Sequence, residues 1–197
     1  MNFLAHAILS FNNNDVLYGN IISDFLKGKS QYNYSGNIRK GIVLHRAIDE
    51  FTDSHPLTKE VRKMYSPNYR LYSGPLADIT FDYFLANDKI HFPDYDRLNN
   101  FVNKIYSILE QYNSSFPEQF NFVFKMMKEH NWLYNYRFDE GIALAFRGLV
   151  KRSKFLTDFE TAFTVFKNNK PEIKNIFDAF FPQLEKFAFE YYNNYKS

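Results

Sequence analysis

The chain has 197 residues, a formal charge of +2 and no cysteine. That length suits one domain able to bury a substantial core, and the near-zero charge gives no reason to expect nucleic acid or a membrane surface as a partner. Without cysteine there can be no disulfide, thiolate metal site or Cys nucleophile, which agrees with a reducing compartment, and the cytoplasm is the expected location. Apolar residues recur at intervals of three and four with no sustained alternation, so the expected fold is all-α, a single-domain helical bundle of about eight to ten helices. With 23 Phe and 15 Tyr, aromatic rings should fill much of the interior.

The first helix is expected over residues 3–10. Its apolar start lacks basic residues and a cleavage signal, so it reads as part of the fold rather than a leader. Asp15 is the expected cap of a second helix ending at Gly28, where glycine suits the left-handed position after a helix end. Residues 28–36 read as a loop, and a third helix follows over 37–53 until His55-Pro56 stops it. Pro56 then suits the first turn of a fourth helix through residue 65. Gly74-Pro75, Pro93 and Pro117 mark the starts of helices reaching residues 87, 112 and 130. An eighth, over 138–152, carries Ile142, Ala145, Phe146, Leu149 and Val150 on one face and Arg147, Lys151 and Arg152 on the rest. Residues 158–195 read as one or two Phe-rich helices interrupted by Pro171 and Pro182. No apolar run approaches the ~20 residues that span a membrane.

Several polar groups interrupt these apolar patterns: Asp24 after Asn20-Ile21-Ile22-Ser23, His45 and Asp49 within residues 42–49, and Asp78 and Asp82 within residues 78–85. Residues four apart share a helix face, so His45 with Asp49, Asp49 with Asp53, and Asp78 with Asp82 form stacked pairs. Buried carboxylates need partners, and a divalent cation is an effective one. Imidazole with carboxylates suits Mn²⁺, Mg²⁺ or Fe²⁺, and such an ion supports phosphoester hydrolysis by acidifying water and stabilising phosphoryl charge. Each group also has a plain structural reading. A single His on an amphipathic helix is often only hydrogen-bonded, Asp53 can belong to the following turn, and His55, His91 and His130 read as surface or capping residues. His6 is equally a core histidine or a ligand.

Arg46, Arg137, Arg147, Lys151 and Arg152 form a second set, suited to a phosphate substrate or an acidic partner. Arg46 stands out because it neighbours His45. Gly28-Lys29-Ser30 lacks the upstream glycine of a phosphate-binding loop, and no Ser stands in a Gly-x-Ser-x-Gly elbow.

Met1-Asn2-Phe3-Leu4-Ala5-His6, Gly19-Asn20-Ile21-Ile22-Ser23-Asp24-Phe25, Gly41 through Asp49 with Thr52-Asp53, and Asp78 through Leu85 together resemble the bacterial acyl carrier protein phosphodiesterases. The likeness extends to Trp132-Leu133, Tyr136-Arg137 and Gly148 near Arg152. It implies an all-α, HD-domain-like phosphohydrolase that uses Mn²⁺ to remove 4′-phosphopantetheine from holo acyl carrier protein, its protein partner, leaving the apo form. His6, Asp24, His45, Asp49, Asp78 and Asp82 match the family's polar positions, with Asp53 a weaker match.

On this reading Asp24, His45 and Asp78, helped by His6, Asp49 or Asp82, hold the ion. Asp24, His45, Arg46 and Asp49 serve catalysis, and the acidic carrier docks on the helix carrying Arg147, Lys151 and Arg152. Two departures stand out: His45 is followed by Arg46 instead of the Asp of an HD pair, and Tyr83 stands where members often have His. Two alternatives are a metal-dependent hydrolase of a nucleotide or other small phosphoester, and a non-enzymatic helical module with a buried hydrogen-bond network.

Overall fold

In the computed structural model, which describes residues 1–195, the chain forms ten α-helices and no strand among those residues. They are α1 (Phe3–Ile8), α2 (Asn14–Ile22), α3 (Gly36–Ser54), α4 (Pro56–Tyr69), α5 (Ser73–Ala86), α6 (Tyr95–Glu110), α7 (Glu118–Glu129), α8 (Trp132–Asn135), α9 (Asp139–Arg152) and α10 (Glu160–Asn194). The all-α expectation is met, and Pro56 opens α4 as its spacing suggested.

Local chemistry moved several boundaries. Asn13, not Asp15, caps α2 by accepting the Val16 amide at 3.1 Å, while the Asp15 carboxylate accepts the Tyr112 hydroxyl at 2.6 Å. The second helix ends at Ile22 and tightens into a 3₁₀ turn, Ser23–Phe25. Gly28, at φ +55°, then opens a second 3₁₀ stretch, Gly28–Asn33, where a loop was expected. Helix α4 continues past residue 65 to Tyr69 with Pro67 inside it, and α8 was not foreseen.

The largest departure is α10, one uninterrupted helix of 35 residues containing both Pro171 and Pro182. An interior proline costs about 3 kcal/mol because it removes a hydrogen bond and crowds the preceding turn. Burying one large apolar side chain returns about 1.5–3 kcal/mol, and α10 buries Phe166, Ile173, Phe177, Phe180, Phe181 and Leu184 among others. Packing therefore outweighs the local penalty.

Helix α5 runs through the centre, buried from Leu76 to Ala86 save for Asp78. Phenylalanines from α10 meet it: the Phe81 ring lies 5.4 Å from that of Phe180, and Phe84 6.0 Å from Phe177. Buried tyrosines keep their hydroxyls paired, as Tyr65 does with Thr80 at 2.8 Å.

Two glycines set the approach of α2 and α3. A Cβ at Gly19 would stand 2.0 Å from the Ile38 carbonyl oxygen, and one at Gly41 would stand 2.2 Å from that of Val16. Any side chain at either position would drive the backbones apart, and that approach is what brings the Asn20 carbonyl to His45.

Candidate metal centre

His6 on α1 and His45 on α3 are both buried, with rings stacked at a centroid separation of 4.0 Å. Asn20 of α2, itself fully buried, orients both. Its side-chain amide donates to the His6 carbonyl at 3.0 Å and to Ser10 Oγ at 3.1 Å, which turns Oδ1 toward His6 Nδ1 at 2.8 Å. Its backbone carbonyl accepts from His45 Nδ1, also at 2.8 Å. Each Nδ1 must therefore carry the proton, and each Nε2 is left facing the same space.

Asp49 fills the other side of that space, one turn along α3 from His45. Its Oδ1 lies 3.3 Å from His6 Nε2 and its Oδ2 lies 3.1 Å from His45 Nε2. Asp24, in the 3₁₀ turn after α2, reaches His45 Nε2 at 3.0 Å with its side chain 66% exposed, so the cluster is open to solvent on that side. A cavity of about 10 Å³ lies among His6, Asn20, Asp24 and His45, about the size of one water-sized sphere. The ligand-type atoms of His6, His45 and Asp49 lie within 4.8 Å of one another.

Electrostatics couple these groups. Burial opposes a charge on His45, but its hydrogen bonds to Asp24 and Asp49 outweigh that and raise its pKa to about 9. Burial and the neighbouring His45 charge push His6 down to about 4. Burial also raises both carboxyls, yet the imidazoles outweigh it, so Asp24 titrates below its ordinary range and Asp49 far below. Neutral His6 thus presents a buried Nε2 with no hydrogen-bond partner to a carboxylate oxygen. Two lone pairs facing each other call for a cation between them. Nitrogen and oxygen donors without thiolate suit a divalent ion of the Mn²⁺, Mg²⁺ or Fe²⁺ kind, so the residues fit one.

Asp78 and Asp82, one turn apart on α5, have separate surroundings. The Met1 amino group lies 3.0 Å from Asp49 Oδ1 and 3.4 Å from Asp78 Oδ1, joining Asp78 to the cluster. Burial disfavours charge on that amine, but Asp78 and Asp49 outweigh it and its pKa rises to about 10. Both oxygens of Asp82 are already engaged, accepting the Leu4 amide at 2.8 Å and the Ala5 amide at 3.1 Å. Asp82 therefore caps α1, and no oxygen is left pointing at the cluster. Asp53 pairs with Arg62 on the exposed side of α4. Tyr83 packs against the Lys170 ammonium, 4.5 Å from its ring centroid, and not against the two imidazoles.

The basic residues divide into groups. Arg46 is exposed and its guanidinium bonds the Gln31 side chain. Arg137 lies over the rings of Tyr95, Tyr134 and Phe138, 3.0 Å from the Tyr95 centroid, which makes it a packing residue. Arg147, Lys151 and Arg152 are exposed along a groove of about 730 Å³ beside α9. Asn20 and this groove escaped the sequence reading. A lone Asn in the apolar run of α2 was the only signal of the first, while a groove formed by α1, α5, α7, α8 and α9 has no local signal. A third unforeseen feature is charge: from Asp24 to Asp49 the chain carries Lys27, Lys29, Arg39, Lys40 and Arg46 with no acidic residue between.

Comparison with known proteins agrees with this geometry. The family model described as acyl carrier protein phosphodiesterase matches residues 1–184. A protein of that name from Photorhabdus laumondii is 31% identical over 186 residues, covering 93% of each chain. Another from Yersinia pestis is 29% identical over 188 residues, covering 95% of this chain and 97% of that one. A third, from Yersinia enterocolitica, is 31% identical over 186 residues, covering 93% of this chain and 95% of that one. No solved structure matches the chain. With buried histidines and carboxylates converging as described and a family match across nearly all its length, this chain belongs to the acyl carrier protein phosphodiesterase family.

Proposed function

We propose that this protein hydrolyses the phosphodiester of holo acyl carrier protein, releasing 4′-phosphopantetheine and the apo carrier, with Mn²⁺ as its cofactor. The main support is the convergence of the His6 and His45 Nε2 atoms with Asp49, their ligand-type atoms within 4.8 Å of one another, beside a cation-sized cavity that Asp24 also lines, with no hydrogen-bond partner for His6 Nε2. His6, His45 and Asp49, with Asp24 on the open side, would hold the ion, and Asp78 stands behind Asp49. When bound, a divalent cation supplies charge stabilisation on a phosphoryl oxygen and acidifies water.

The chain's own groups account for the rest. Asp24 is the exposed carboxylate of the cluster, and hydrogen bonding to His45 keeps it ionised, so it can accept the proton of a water attacking phosphorus in line with the carrier's serine oxygen. Breaking that P–O bond, with a proton taken from solvent by the departing oxygen, leaves a serine hydroxyl on the carrier and a phosphomonoester on the pantetheine. Arg46, one residue from His45, would offset phosphodiester charge. An acidic carrier would be drawn to Arg147, Lys151 and Arg152 and to the cationic stretch between Asp24 and Asp49, through contacts weakened by salt.

The direct test incubates purified protein with holo carrier and Mn²⁺ and weighs the carrier by mass spectrometry. Loss of the phosphopantetheine mass is expected, and an unchanged carrier mass would refute the proposal. If excess small phosphodiesters are cleaved as fast as holo carrier, the small-substrate alternative is favoured instead.

A further inference from the structure

The groove beside α9 adjoins the candidate metal centre: Asn2 and Phe3 line both the groove and the small cavity among the histidines. Ile79, next to Asp78, lines it as well. Its volume of about 730 Å³ falls within the roughly 300–1,000 Å³ of small-molecule pockets. Its lining combines apolar side chains, among them Trp132 and Leu144, with the side-chain amides of Asn131 and Asn135. The Asn131 Oδ1 acceptor is buried and has no donor.

The two glycines of α9 differ in what they do. A Cβ at Gly141 would stand 1.8 Å from the Asn135 carbonyl oxygen, so packing requires glycine there. A Cβ at Gly148 would meet only Arg152 Nη1, at 3.9 Å. Glycine inside a helix costs stability relative to alanine, and no neighbour demands it at Gly148. What the missing side chain leaves is depth in the groove.

We infer that this groove holds the pantetheine arm of the substrate and that Gly148 keeps the space it occupies; this rests on the carrier-protein reading above. Pantetheine combines two amides and a hydroxyl with methylenes and a geminal dimethyl group, which suits a wall that combines apolar side chains with side-chain amides. With phosphorus at the cluster, the arm extends past Phe3 and beneath α9, its amide N–H groups facing acceptors such as Asn131.

The test compares binding of 4′-phosphopantetheine and of inorganic phosphate to the Mn²⁺-supplemented protein by calorimetry, phosphate being the reference for the centre itself. Wild type should bind 4′-phosphopantetheine at least about tenfold tighter than phosphate, in line with burial of its apolar groups. Gly148→Phe should reduce that ratio to within twofold, whereas Gly148→Ala should preserve it and raise the melting temperature. Leu144→Trp, at an exposed position on the same wall, narrows the groove independently and covers the case in which Gly148→Phe does not fold. A ratio unchanged in the folded blocking variants, or no preference in wild type, overturns the inference. A preference that the variants abolish, in a protein that leaves holo carrier intact, supports the groove assignment while refuting the carrier activity.

Discussion

Replacing Asn20 by alanine tests how the centre is built. The substitution removes one acceptor from His6 Nδ1 at 2.8 Å and two donors, to the His6 carbonyl at 3.0 Å and to Ser10 Oγ at 3.1 Å. At about 1 kcal/mol net per bond, less about 0.5 kcal/mol returned by the higher helix propensity of alanine, stability should fall by about 2.5 kcal/mol. For a chain of this size each kcal/mol moves the melting temperature by about 2–4 °C, so the midpoint should drop by about 5–10 °C. His45 keeps its partner, since that is the Asn20 backbone carbonyl. His6 loses the bond that directs its Nε2 at Asp49, and loss of such an orienting contact typically lowers metal affinity by about 10–100-fold. Thermal melts and Mn²⁺ titration by calorimetry measure the two effects separately. Ser10→Ala is the control: the Ser10 Oγ accepts from Asn20 and donates to the His6 carbonyl at 2.7 Å, so the substitution should lower stability by about 2 kcal/mol while leaving Mn²⁺ affinity within about twofold. If Asn20→Ala melts earlier yet binds Mn²⁺ as wild type does, Asn20 is only a structural residue and the orienting role is wrong.

Asp24→Ala should lower carrier turnover by about 10²–10⁴-fold while changing stability by no more than about 0.5 kcal/mol, because the side chain is exposed; a folded variant with full activity would remove Asp24 from the mechanism. Asp82→Asn should act first on stability, costing about 1–3 kcal/mol in a denaturant titration by setting an amide donor against an amide of α1, and an unchanged midpoint would contradict the capping role. His91, bonded to Asp88 and at 2.7 Å to Glu185 of α10, predicts a pH effect. Burial opposes its charge, but the two carboxylates outweigh it and its pKa lies above the ordinary value. A raised folded-state pKa adds stability that is complete below the unfolded value of about 6.5 and disappears as pH rises through the folded value. The stability difference between wild type and Glu185→Gln should therefore be larger at pH 6 than at pH 9, and equal differences would exclude a contribution from the His91–Glu185 ion pair.

Helix count and most starts were legible because proline and glycine act locally: Pro56 lacks the amide donor that a place inside α3 would use and loses nothing in the first turn of α4. The same reasoning failed at Pro171 and Pro182, where phenylalanines contacting α5 decide the outcome and no local window contains their partners. The stacking of His45 over Asp49 could be read from the four-residue spacing, as could the conflict between Asp24 and its apolar neighbours. His6 could not be decided from sequence, since its role depends on Asn20, fourteen residues away.

Asp82 shows the limit most clearly. A carboxylate inside an apolar helix means that something must compensate its burial, but the sequence does not say what. Asp49 faces two imidazoles, Asp78 an amino group, and Asp82 the amides that open α1, so residues with the same signature divide into candidate cation site, charge partner and cap. By capping α1, Asp82 also fixes the helix that carries His6 two residues beyond Leu4. Its removal should reach the metal centre through position rather than coordination, and that predicts which second substitution rescues it. Asp82→Asn should regain metal affinity from stabilising changes elsewhere in the fold, whereas Asp49→Asn should not.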